Sequence, residues 1–304
     1  MPFCKVMTPN TSPRQTLSYL RNLFEAHGIQ PKRKLGQNFL IDLNLLDILV
    51  QTAELTTRDL VVEIGSGTGS LTARLADQAG RVLGVELDPS FVELLREAVG
   101  HRENVRILHA DVLKNKNEID PQVLTALDEL RRESGCDRIK LVANLPYAVA
   151  VPVIGNFLIS DLSFERMVVT VQWEIAERLL AGPGSKDYGA LAVLVQSVAD
   201  VTLIRKLPPA VFWPRPQVAS AIVLIRPDAQ KRACVGDVPR FRRFLRDLYT
   251  HRRKNLRGAL AGLPSGRWHK TEVDRKLMQL DLDGTMRAEM LDVEQHLRLC
   301  EMFG

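Results

Sequence analysis

The stretch VVEIGSGTGSLT (residues 61–72) is the most informative part of the sequence, because it joins an apolar run, a glycine-rich turn and a helical pattern. Its three glycines, Gly65, Gly67 and Gly69, stand in the spacing GxGxG. Glycines let the backbone turn sharply and leave room for a ligand to lie against it. NAD enzymes, flavoproteins and methyltransferases all use such loops, and a tight strand-to-helix turn gives the same pattern. The stretch therefore predicts an α/β unit without choosing among these classes.

Apolar runs and helical patterns alternate on both sides of this stretch. Strand character is found at about 60–64, 82–87, 105–109, 139–143, 167–172, 198–204 and 219–225. Helical patterns lie between most of these runs, at 69–79, 89–99, 121–134, 151–160 and 173–181. Seven strands with crossover helices predict a Rossmann-like α/β sheet that is largely parallel. The strand signals end near residue 227, so we predict an N-terminal extension (1–31), an α/β domain (32–228) and a small helical domain (229–304).

Composition and charge fit a soluble intracellular protein. Hydrophobic residues make up 45% of the 304 residues and charged residues 25%, which is ordinary for a domain with a real core. The four cysteines are far apart and form no CxxC pair, which predicts reduced thiols and no metal site. The N-terminus lacks the apolar core of a signal peptide, and polar residues interrupt the most apolar stretches. We expect a monomeric cytoplasmic protein with no membrane partner.

In a parallel sheet the ligand lies beyond the carboxyl ends of the strands, so the residues that end the strands are informative. Glu86 ends the second strand, 21 positions after Gly65, where a carboxylate can bind the hydroxyl groups of a ribose. A surface glutamate without a role is the alternative. Asp111 follows the third strand and can accept a hydrogen bond from an adenine amino group, or it can simply cap a helix.

The fourth strand ends in NLPY (144–147), which is either a turn or a site for a flat polar group. The exocyclic amine of adenine is a poor nucleophile, and two hydrogen-bond acceptors would draw its nitrogen toward tetrahedral geometry and stabilise the developing charge. The side-chain oxygen of Asn144 and the backbone carbonyl of Leu145 are candidates for these acceptors. Pro146 would fix the bend, and Tyr147 offers a ring on which an unpaired adenine can stack.

These segments together resemble the ribosomal RNA adenine N6,N6-dimethyltransferase family. The resemblance rests on QNFLID (37–42), VEIGSGTGSLT (62–72), VELD (85–88), HAD (109–111), NLPY (144–147), VQWEIAERL (171–179) and FWPRPQVASAIV (212–223). It covers roughly residues 32–260. It implies a class I methyltransferase sheet that uses S-adenosyl-L-methionine. The members that it resembles most dimethylate two adjacent adenosines near the 3′ end of the 16S RNA of the small ribosomal subunit.

The resemblance also implies the roles of individual residues. It assigns cofactor binding to Asn38, Leu40, Gly65, Gly67, Glu86, Asp111 and Asn144. It assigns contact with the target adenosine to Asn144, Leu145, Pro146, Tyr147 and Phe212, although Phe212 alone is better interpreted as a core residue. The sequence departs from the family pattern at Ala148, Val149, Ala150, Trp173, Gln217 and Ala219. These departures leave open the details of RNA contact and the order of the two methylations.

Basic residues cluster in two places. PKRK (31–34) precedes QNFL, and residues 240–257 hold eight Arg or Lys against one Asp. The apolar residues of the second cluster recur at helical spacing, which predicts an amphipathic helix with a basic outer face. A solvated helix surface is the alternative. We predict that RNA phosphates bind Lys32, Arg33, Lys34, Arg252, Arg253 and Lys254.

Three competing functions remain. A large-subunit (23S) RNA methylase that confers macrolide resistance would share the NLPY-like and FxPxP-like motifs. A non-catalytic protein, either a checkpoint factor of ribosome assembly or a transcription factor on a former methylase fold, would not need intact Gly65, Glu86, Asp111 and Asn144. An NAD enzyme would leave NLPY and QNFL unexplained.

Overall fold

A computed structural model describes residues 16–32, 36–266 and 268–304. About half of the predicted N-terminal extension, together with Arg33 and Lys34, lies outside the described residues. The chain divides into two compact units. The first comprises the described residues up to Asn115, with Ile119–Ala148 and Pro208–Gln217; the second comprises Lys116–Glu118, Val149–Leu207 and Val218–Gly304. This division does not follow the expected boundary at residue 228, and the three predicted domains stay a prediction.

The described residues form helices and strands in alternation over most of the chain. The helices are α1 (Leu17–Ala26), α2 (Leu43–Ala53), α3 (Ser70–Ala76), α4 (Pro89–Val99), α5 (Pro121–Ser134), α6 (Ala150–Ile159), α7 (Trp173–Leu180), α8 (Ala190–Gln196), α9 (Ala229–Val235), α10 (Val238–Thr250), α11 (Leu256–Leu260), α12 (Lys270–Gln279) and α13 (Val293–Phe303). The strands are β1 (Phe39–Leu40), β2 (Asp59–Ile64), β3 (Arg81–Glu86), β4 (Val105–His109), β5 (Leu113–Asn115), β6 (Glu118–Ile119), β7 (Arg138–Asn144), β8 (Phe164–Gln172), β9 (Ala199–Leu207), β10 (Phe212–Trp213) and β11 (Ser220–Pro227). Short 3₁₀ turns cover Pro209–Val211 and Ala288–Met290.

Seven of these strands form one mixed sheet, which confirms the α/β fold class. In the first unit the order is β4-β3-β2-β7, and all of these neighbours pair in parallel. Every residue of β2 is buried, as expected for a strand that is covered on both faces. The parallel pairing brings the carboxyl ends of the four strands to one edge of the unit. Gly65, Glu86 and the NLPY segment therefore belong to the same edge.

One strand of the second unit, β11, runs against the predicted parallel direction. β11 lies between β8 and β9 and runs antiparallel to both, so this part of the sheet is not parallel. The cause is the connection before β11: residues 208–219 contain only a 3₁₀ turn and a two-residue strand. A parallel connection needs a crossover, usually a helix. The sheet is predicted to be largely parallel, and β11 is the strand that departs from this by running antiparallel to its neighbours.

Local signals explain where several helices begin. Asp42, Asp88 and Asp120 each cap a helix by accepting a hydrogen bond from a backbone N–H two residues later. Proline at the first helical position supports two of these starts. The predicted amphipathic helix is α10, whose Phe241, Phe244, Leu245 and Leu248 are all buried. Within the described residues, no helix has both the length and the apolar character needed to cross a membrane.

Candidate active site

The glycine turn after β2 is packed against the NLPY segment. Gly65 has a φ of +76°, and a Cβ atom added there would lie 2.8 Å from Cγ of Pro146. Only glycine fits such a position without strain, because the left-handed backbone and the close approach both exclude a side chain. The Gly65 N–H donates to the carbonyl of Val85 on the neighbouring strand, over 2.8 Å. The turn and the proline are therefore held together, as the common edge of their strands predicts.

The Glu86 carboxylate is fixed by the backbone of this same edge. Its Oε2 accepts a hydrogen bond from the N–H of Gly67 over 2.8 Å, and its Oε1 accepts from the N–H groups of Leu87 and Asp88. Burial raises the pKa of Glu86, and the three backbone donors oppose that rise. The carboxylate lies beside the glycine turn, where the sequence placed it. Its contact with a ribose stays a prediction.

Asp88 forms a second buried anionic centre that the sequence analysis missed. Its Oδ2 lies 2.9 Å from Nζ of Lys32 and accepts a hydrogen bond from Nε2 of Gln37 over 3.1 Å. Burial opposes ionisation here, but the hydrogen bonds from Lys32 and Gln37 hold the pKa of Asp88 below its usual value. Lys32 thus ties the segment before QNFL to the start of α4. Its predicted contact with RNA phosphate competes with this ion pair and stays a prediction.

Glu63 is a buried acid directly behind the glycine turn. Its side chain is 2% exposed, and its Oε2 accepts a hydrogen bond from Oγ1 of Thr72 in α3. Burial raises the pKa of Glu63 to about 8; the hydrogen bond from Thr72 opposes the rise, and the nearby charge of Glu86 adds to it. At neutral pH this side chain is therefore an uncharged acid. Glu63 could not be recognised as a buried acid from the sequence, because it lies within an apolar strand pattern.

The Asn144 side chain is held by the QNFL segment. Its Nδ2 donates to the backbone carbonyl of Asn38 over 2.9 Å. Because the amide nitrogen faces that carbonyl, the Oδ1 atom is left to accept. The Asn38 side chain donates in turn to the carbonyl of Gly36 over 3.1 Å, and a Cβ atom at Gly36 would lie 3.1 Å from the backbone nitrogen of Tyr147. QNFL and NLPY thus brace each other at the end of β7.

Leu145 supplies the second predicted acceptor. Its side chain is 1% exposed and anchors the bend in the core. In the part of the chain that the structure describes, no hydrogen bond engages its backbone carbonyl. The Asn144 amide oxygen and the Leu145 carbonyl are consecutive acceptors on one bend. Two such acceptors are what the predicted hydrogen bonds to an adenine amine require. The roles of Asn144 and Leu145 in binding that amine stay predictions.

Leu40 and Phe212 lie side by side as partners in a two-stranded antiparallel sheet, β1 with β10. Leu40 is 6% exposed and Phe212 is 2% exposed, so both side chains belong to the core. The Phe212 ring offers no free face to a base in this structure. Its burial favours the core interpretation, and its stacking on adenosine stays a prediction. The same holds for the contact of the Leu40 side chain with a cofactor.

Asp111 is exposed at the end of β4. Its Oδ1 accepts a hydrogen bond from the N–H of Leu113 over 2.9 Å, which closes a turn. The alternative interpretation as a helix cap is wrong, because the segment that follows Asp111 is the strand β5 and not a helix. Contact between the other oxygen and an adenine amine stays a prediction.

The predicted RNA-binding arginines of the second unit differ in their surroundings. Arg252 lies 3.3 Å from Oε2 of Glu289 and donates to the carbonyl of Lys186 over 2.6 Å. It is therefore part of the local structure. Arg253 and Lys254 are exposed, and no described residue pairs with either of them. These two are the better candidates for phosphate contact.

Comparison with known proteins identifies the family. The family model of the ribosomal RNA adenine dimethylases matches residues 28–303, nearly the whole chain. This chain belongs to that family. The resemblance stated from the motifs is thereby confirmed, and the chain is an enzyme of the methyltransferase class rather than an NAD enzyme.

Individual ribosomal RNA adenine dimethylases are similar over most of their length. The chain is 37% identical to a protein of Halothermothrix orenii named "Ribosomal RNA small subunit methyltransferase A", over 90% of this chain and 88% of that one. It is 38% identical to a protein of the same name from Pelotomaculum thermopropionicum, over 93% and 95% of the two chains. A solved dimethyladenosine transferase from Plasmodium falciparum has the same fold, with a TM-score of 0.68, 24% identity and coverage of 85% and 94%. The 23S rRNA methyltransferase ErmE has a TM-score of 0.60 at 25% identity, with coverage of 87% and 99%.

Proposed function

We propose that this protein is an S-adenosylmethionine-dependent methyltransferase that dimethylates the N6 amine of two adjacent adenosines near the 3′ end of 16S RNA in the small ribosomal subunit. The observation that carries the proposal is the orientation of Asn144, whose amide nitrogen is occupied by the Asn38 carbonyl. This leaves its oxygen, together with the Leu145 carbonyl, as a pair of acceptors for the two hydrogens of an adenine amine. The names and identities of the relatives support the small subunit over the large one.

The described residues fit the cofactor that this chemistry implies. The turn at Gly65 excludes a side chain, since a Cβ atom there would lie 2.8 Å from Pro146, and a glycine turn leaves its backbone open to a ligand. Glu86 is a fixed carboxylate at the same edge. Gly65 and Gly67 would accommodate the cofactor against the backbone, while Glu86 would bind its ribose and Asp111 its adenine. When bound, S-adenosylmethionine supplies an electrophilic methyl group on a positively charged sulfur.

The residues of this chain would then act mainly by positioning and electrostatics. The Asn144 oxygen and the Leu145 carbonyl accept hydrogen bonds from the amine, which concentrates the nitrogen lone pair and stabilises the charge that develops on it. Pro146 fixes the direction of that carbonyl, and Tyr147 provides a stacking surface for the base. A general base is not required, because the alkylated nitrogen is acidic enough to lose its proton to water. The rest of the rate enhancement would come from holding the amine in line with the methyl group and the sulfur.

RNA recognition would use Arg253 and Lys254 on the second unit, because both are exposed and no described side chain pairs with either, so they can contact phosphate. Such contacts orient a substrate without reading its sequence. The partner would be an immature small subunit. A monomeric, cytoplasmic state is part of the proposal and rests on the sequence alone.

The test is methyl transfer from labelled S-adenosylmethionine to undermethylated small and large subunits, with wild type beside Asn144→Ala. We expect label in small-subunit RNA only, primer-extension stops at two adjacent adenosines, and loss of both in the variant. Label in large-subunit RNA would move the protein to the function of ErmE. Cofactor binding without transfer to either subunit would favour a non-catalytic checkpoint role.

A further inference from the structure

The second unit contains a cavity of about 930 Å³ between helices α6, α8 and α10. Its volume is near the upper end of the range of ligand pockets, about 300–1,000 Å³. The cavity does not include Asn144 or the glycine turn, nor does it include the predicted RNA-binding residues. The mechanism described above makes no use of it.

The rim of the cavity is strongly basic. Lys116, Arg178, Arg242, Arg243 and Arg246 line it, against Glu118 as the one acidic residue among its lining residues. Lys116, Arg178 and Arg243 are exposed, and the described part of the chain offers none of these three side chains a carboxylate. Arg246 forms an ion pair with its neighbour Asp247, over 2.9 Å. Among the described lining residues, five cationic side chains thus accompany a single carboxylate.

The fold holds the Arg242 side chain of this basic cluster in a defined position. Its Nη1 donates to Oδ1 of Asn156 over 2.6 Å, and Asn156 is only 3% exposed. Burial lowers the pKa of Arg242, and the like charge of Arg246 lowers it further. The fold thus holds a half-buried guanidinium at the rim against the repulsion of a second one. Guanidinium groups in such an array match the geometry of phosphate oxygens.

The floor of the cavity is apolar. Val151 and Pro152 of α6, Leu191 and Leu194 of α8, and the Tyr249 ring of α10 contribute to its lining. Grooves that bind single-stranded nucleic acids combine a positive rim for the backbone with apolar or aromatic surfaces for the bases. A duplex keeps its bases stacked inside and presents only phosphate and sugar, so it cannot use such a floor.

We propose that this arginine-rimmed cavity binds an unpaired segment of ribosomal RNA, with phosphates on the guanidinium groups and bases on the apolar floor. The proposal rests on the RNA substrate of the proposed function. It adds a second contact region, separate from Arg253 and Lys254, that reads unpaired structure rather than duplex. A protein partner with an acidic amphipathic helix is the alternative occupant that the test must exclude.

Gly155 allows the cavity to be filled without removing any charge. It lies on α6 in the cavity lining, and an added Cβ atom would meet nothing within 4 Å. The test compares Gly155→Phe with Gly155→Ala in fluorescence anisotropy, using a mixed-sequence single-stranded RNA and a duplex that contains the same strand. We expect Gly155→Phe to weaken single-strand binding about tenfold and to leave duplex binding unchanged within about twofold. Gly155→Ala should resemble wild type for both RNAs.

The arginines provide an independent variant if Gly155→Phe fails to fold, which thermal unfolding will show. Arg243→Gln with Arg246→Gln should weaken single-strand binding and reduce its salt slope by about 1.4, since each phosphate contact on a single strand contributes about 0.7. The matched control, Arg226→Gln with Arg275→Gln, removes two exposed arginines of the same unit that do not line the cavity. It should change neither quantity.

Three results would overturn the proposal. In the first, Gly155→Phe binds single-stranded RNA as tightly as Gly155→Ala does. In the second, Gly155→Phe loses affinity for the single strand and for the duplex to the same extent. In the third, wild type binds a polyglutamate peptide in place of RNA, and Gly155→Phe loses affinity for that peptide. The readout is binding and not methyl transfer, so it is separable from the proposed function. If small subunits are not methylated but Gly155→Phe still weakens single-strand binding selectively, the proposed function fails and this inference is supported. If small subunits are methylated but Gly155→Phe affects single strands and duplexes alike, this inference alone is overturned.

Discussion

The side-chain Nδ2 of Asn144 donates a hydrogen bond to the backbone carbonyl of Asn38 across 106 positions of sequence, over 2.9 Å. This contact orients the amide so that its oxygen is the free acceptor at the end of β7. It also explains why QNFL and NLPY occur together in this chain: one segment holds the key side chain of the other. The contact therefore links the fold of the N-terminal segment to the chemistry proposed for the strand end.

The variant Asn144→Asp tests whether methyl transfer depends on the orientation of the Asn144 amide or only on the presence of an oxygen atom at this position. The carboxylate keeps an acceptor but cannot donate to the Asn38 carbonyl, and the two oxygens would repel each other. We expect kcat for methyl transfer to fall about 100-fold or more, as when an oriented group in an active site is lost. Asn38→Ala is the control, because it keeps the backbone carbonyl; its kcat should stay within about threefold of wild type while the KM for the cofactor rises. Equal kcat losses in both variants would refute the orienting role.

Gly65→Ala should destabilise the first unit and weaken cofactor binding. The added Cβ atom would lie 2.8 Å from Pro146 at a residue with a φ of +76°. The left-handed backbone costs about 1–2 kcal/mol and overpacking about 1–3 kcal/mol. Gly135→Ala isolates the first cost, because Gly135 has a φ of +68° and open space around it. Urea unfolding should show a larger loss for Gly65→Ala, and identical losses would mean that Pro146 does not constrain the turn.

Glu63 should make stability depend on pH in a way that Glu63→Gln abolishes. The folded state holds the proton up to a pKa of about 8, against 4.5 for the ordinary side chain. The stabilisation is complete below pH 4.5 and is lost as the pH rises to about 8, at a limiting rate of about 1.4 kcal/mol per pH unit. Relative to wild type, Glu63→Gln should therefore become more stable by a few kcal/mol over this range. The exposed Glu93 provides the control variant, Glu93→Gln, and a Glu63→Gln curve parallel to wild type would contradict the account.

His296 should have the opposite dependence in the second unit. Burial lowers the pKa of its imidazole to about 4, against the ordinary 6.5, while the hydrogen bond with the Asp292 carbonyl opposes the shift. The folded state binds the proton more weakly, so stability is complete above pH 6.5 and is lost as the pH falls toward 4. The loss should reach about 3 kcal/mol.

His296→Gln should remove this acid sensitivity, and His101→Gln, at an exposed position, should keep it. Thermal unfolding between pH 4 and 7 measures the difference. An unchanged acid slope in His296→Gln would show that the imidazole is not buried as a neutral group.

Arg252 and Arg253 are adjacent but should behave differently. Arg252→Gln breaks contacts with Glu289 and with the Lys186 carbonyl, so it should lower the free energy of unfolding by up to about 1 kcal/mol. Arg253→Gln should leave stability within about 0.5 kcal/mol of wild type and reduce the salt slope of RNA binding by roughly one unit. Urea unfolding and RNA titration on the same two variants decide the matter. A reversed pattern would return Arg252 to the RNA-binding set.

The strand positions and the location of the site could be predicted from the sequence, because apolar periodicity and strand-end residues are local signals. All seven strands of the main sheet lie where the apolar runs predicted them. The direction of β11 could not be predicted, since an apolar run reads the same for a parallel and an antiparallel neighbour. The helix α8 was not predicted, because its sequence ALAVLVQ (residues 190–196) continues directly into the apolar run of β9.

The internal contacts of the site were beyond prediction for a different reason. The partner of Asn144 is a backbone carbonyl, which every residue carries, so no residue type marks it. Glu63 lies within an apolar strand and Asp88 resembles an ordinary helix cap, and only the structure shows that both are buried. Two other residues show the converse. The motif around Phe212 suggested contact with the target adenosine, whereas the structure places its side chain in the core. The positive charge of Lys32 suggested contact with RNA phosphate, whereas the structure pairs it with Asp88.

The most direct test of the central claim is the identity of the nucleotide that wild type and Asn144→Ala label in undermethylated small subunits, after digestion of the RNA to nucleosides. The account predicts N6,N6-dimethyladenosine from wild type and none from a folded Asn144→Ala protein. Label on another nucleoside, or dimethyladenosine at the wild-type level from the variant, would contradict the assignment of Asn144 as the residue that holds the target amine.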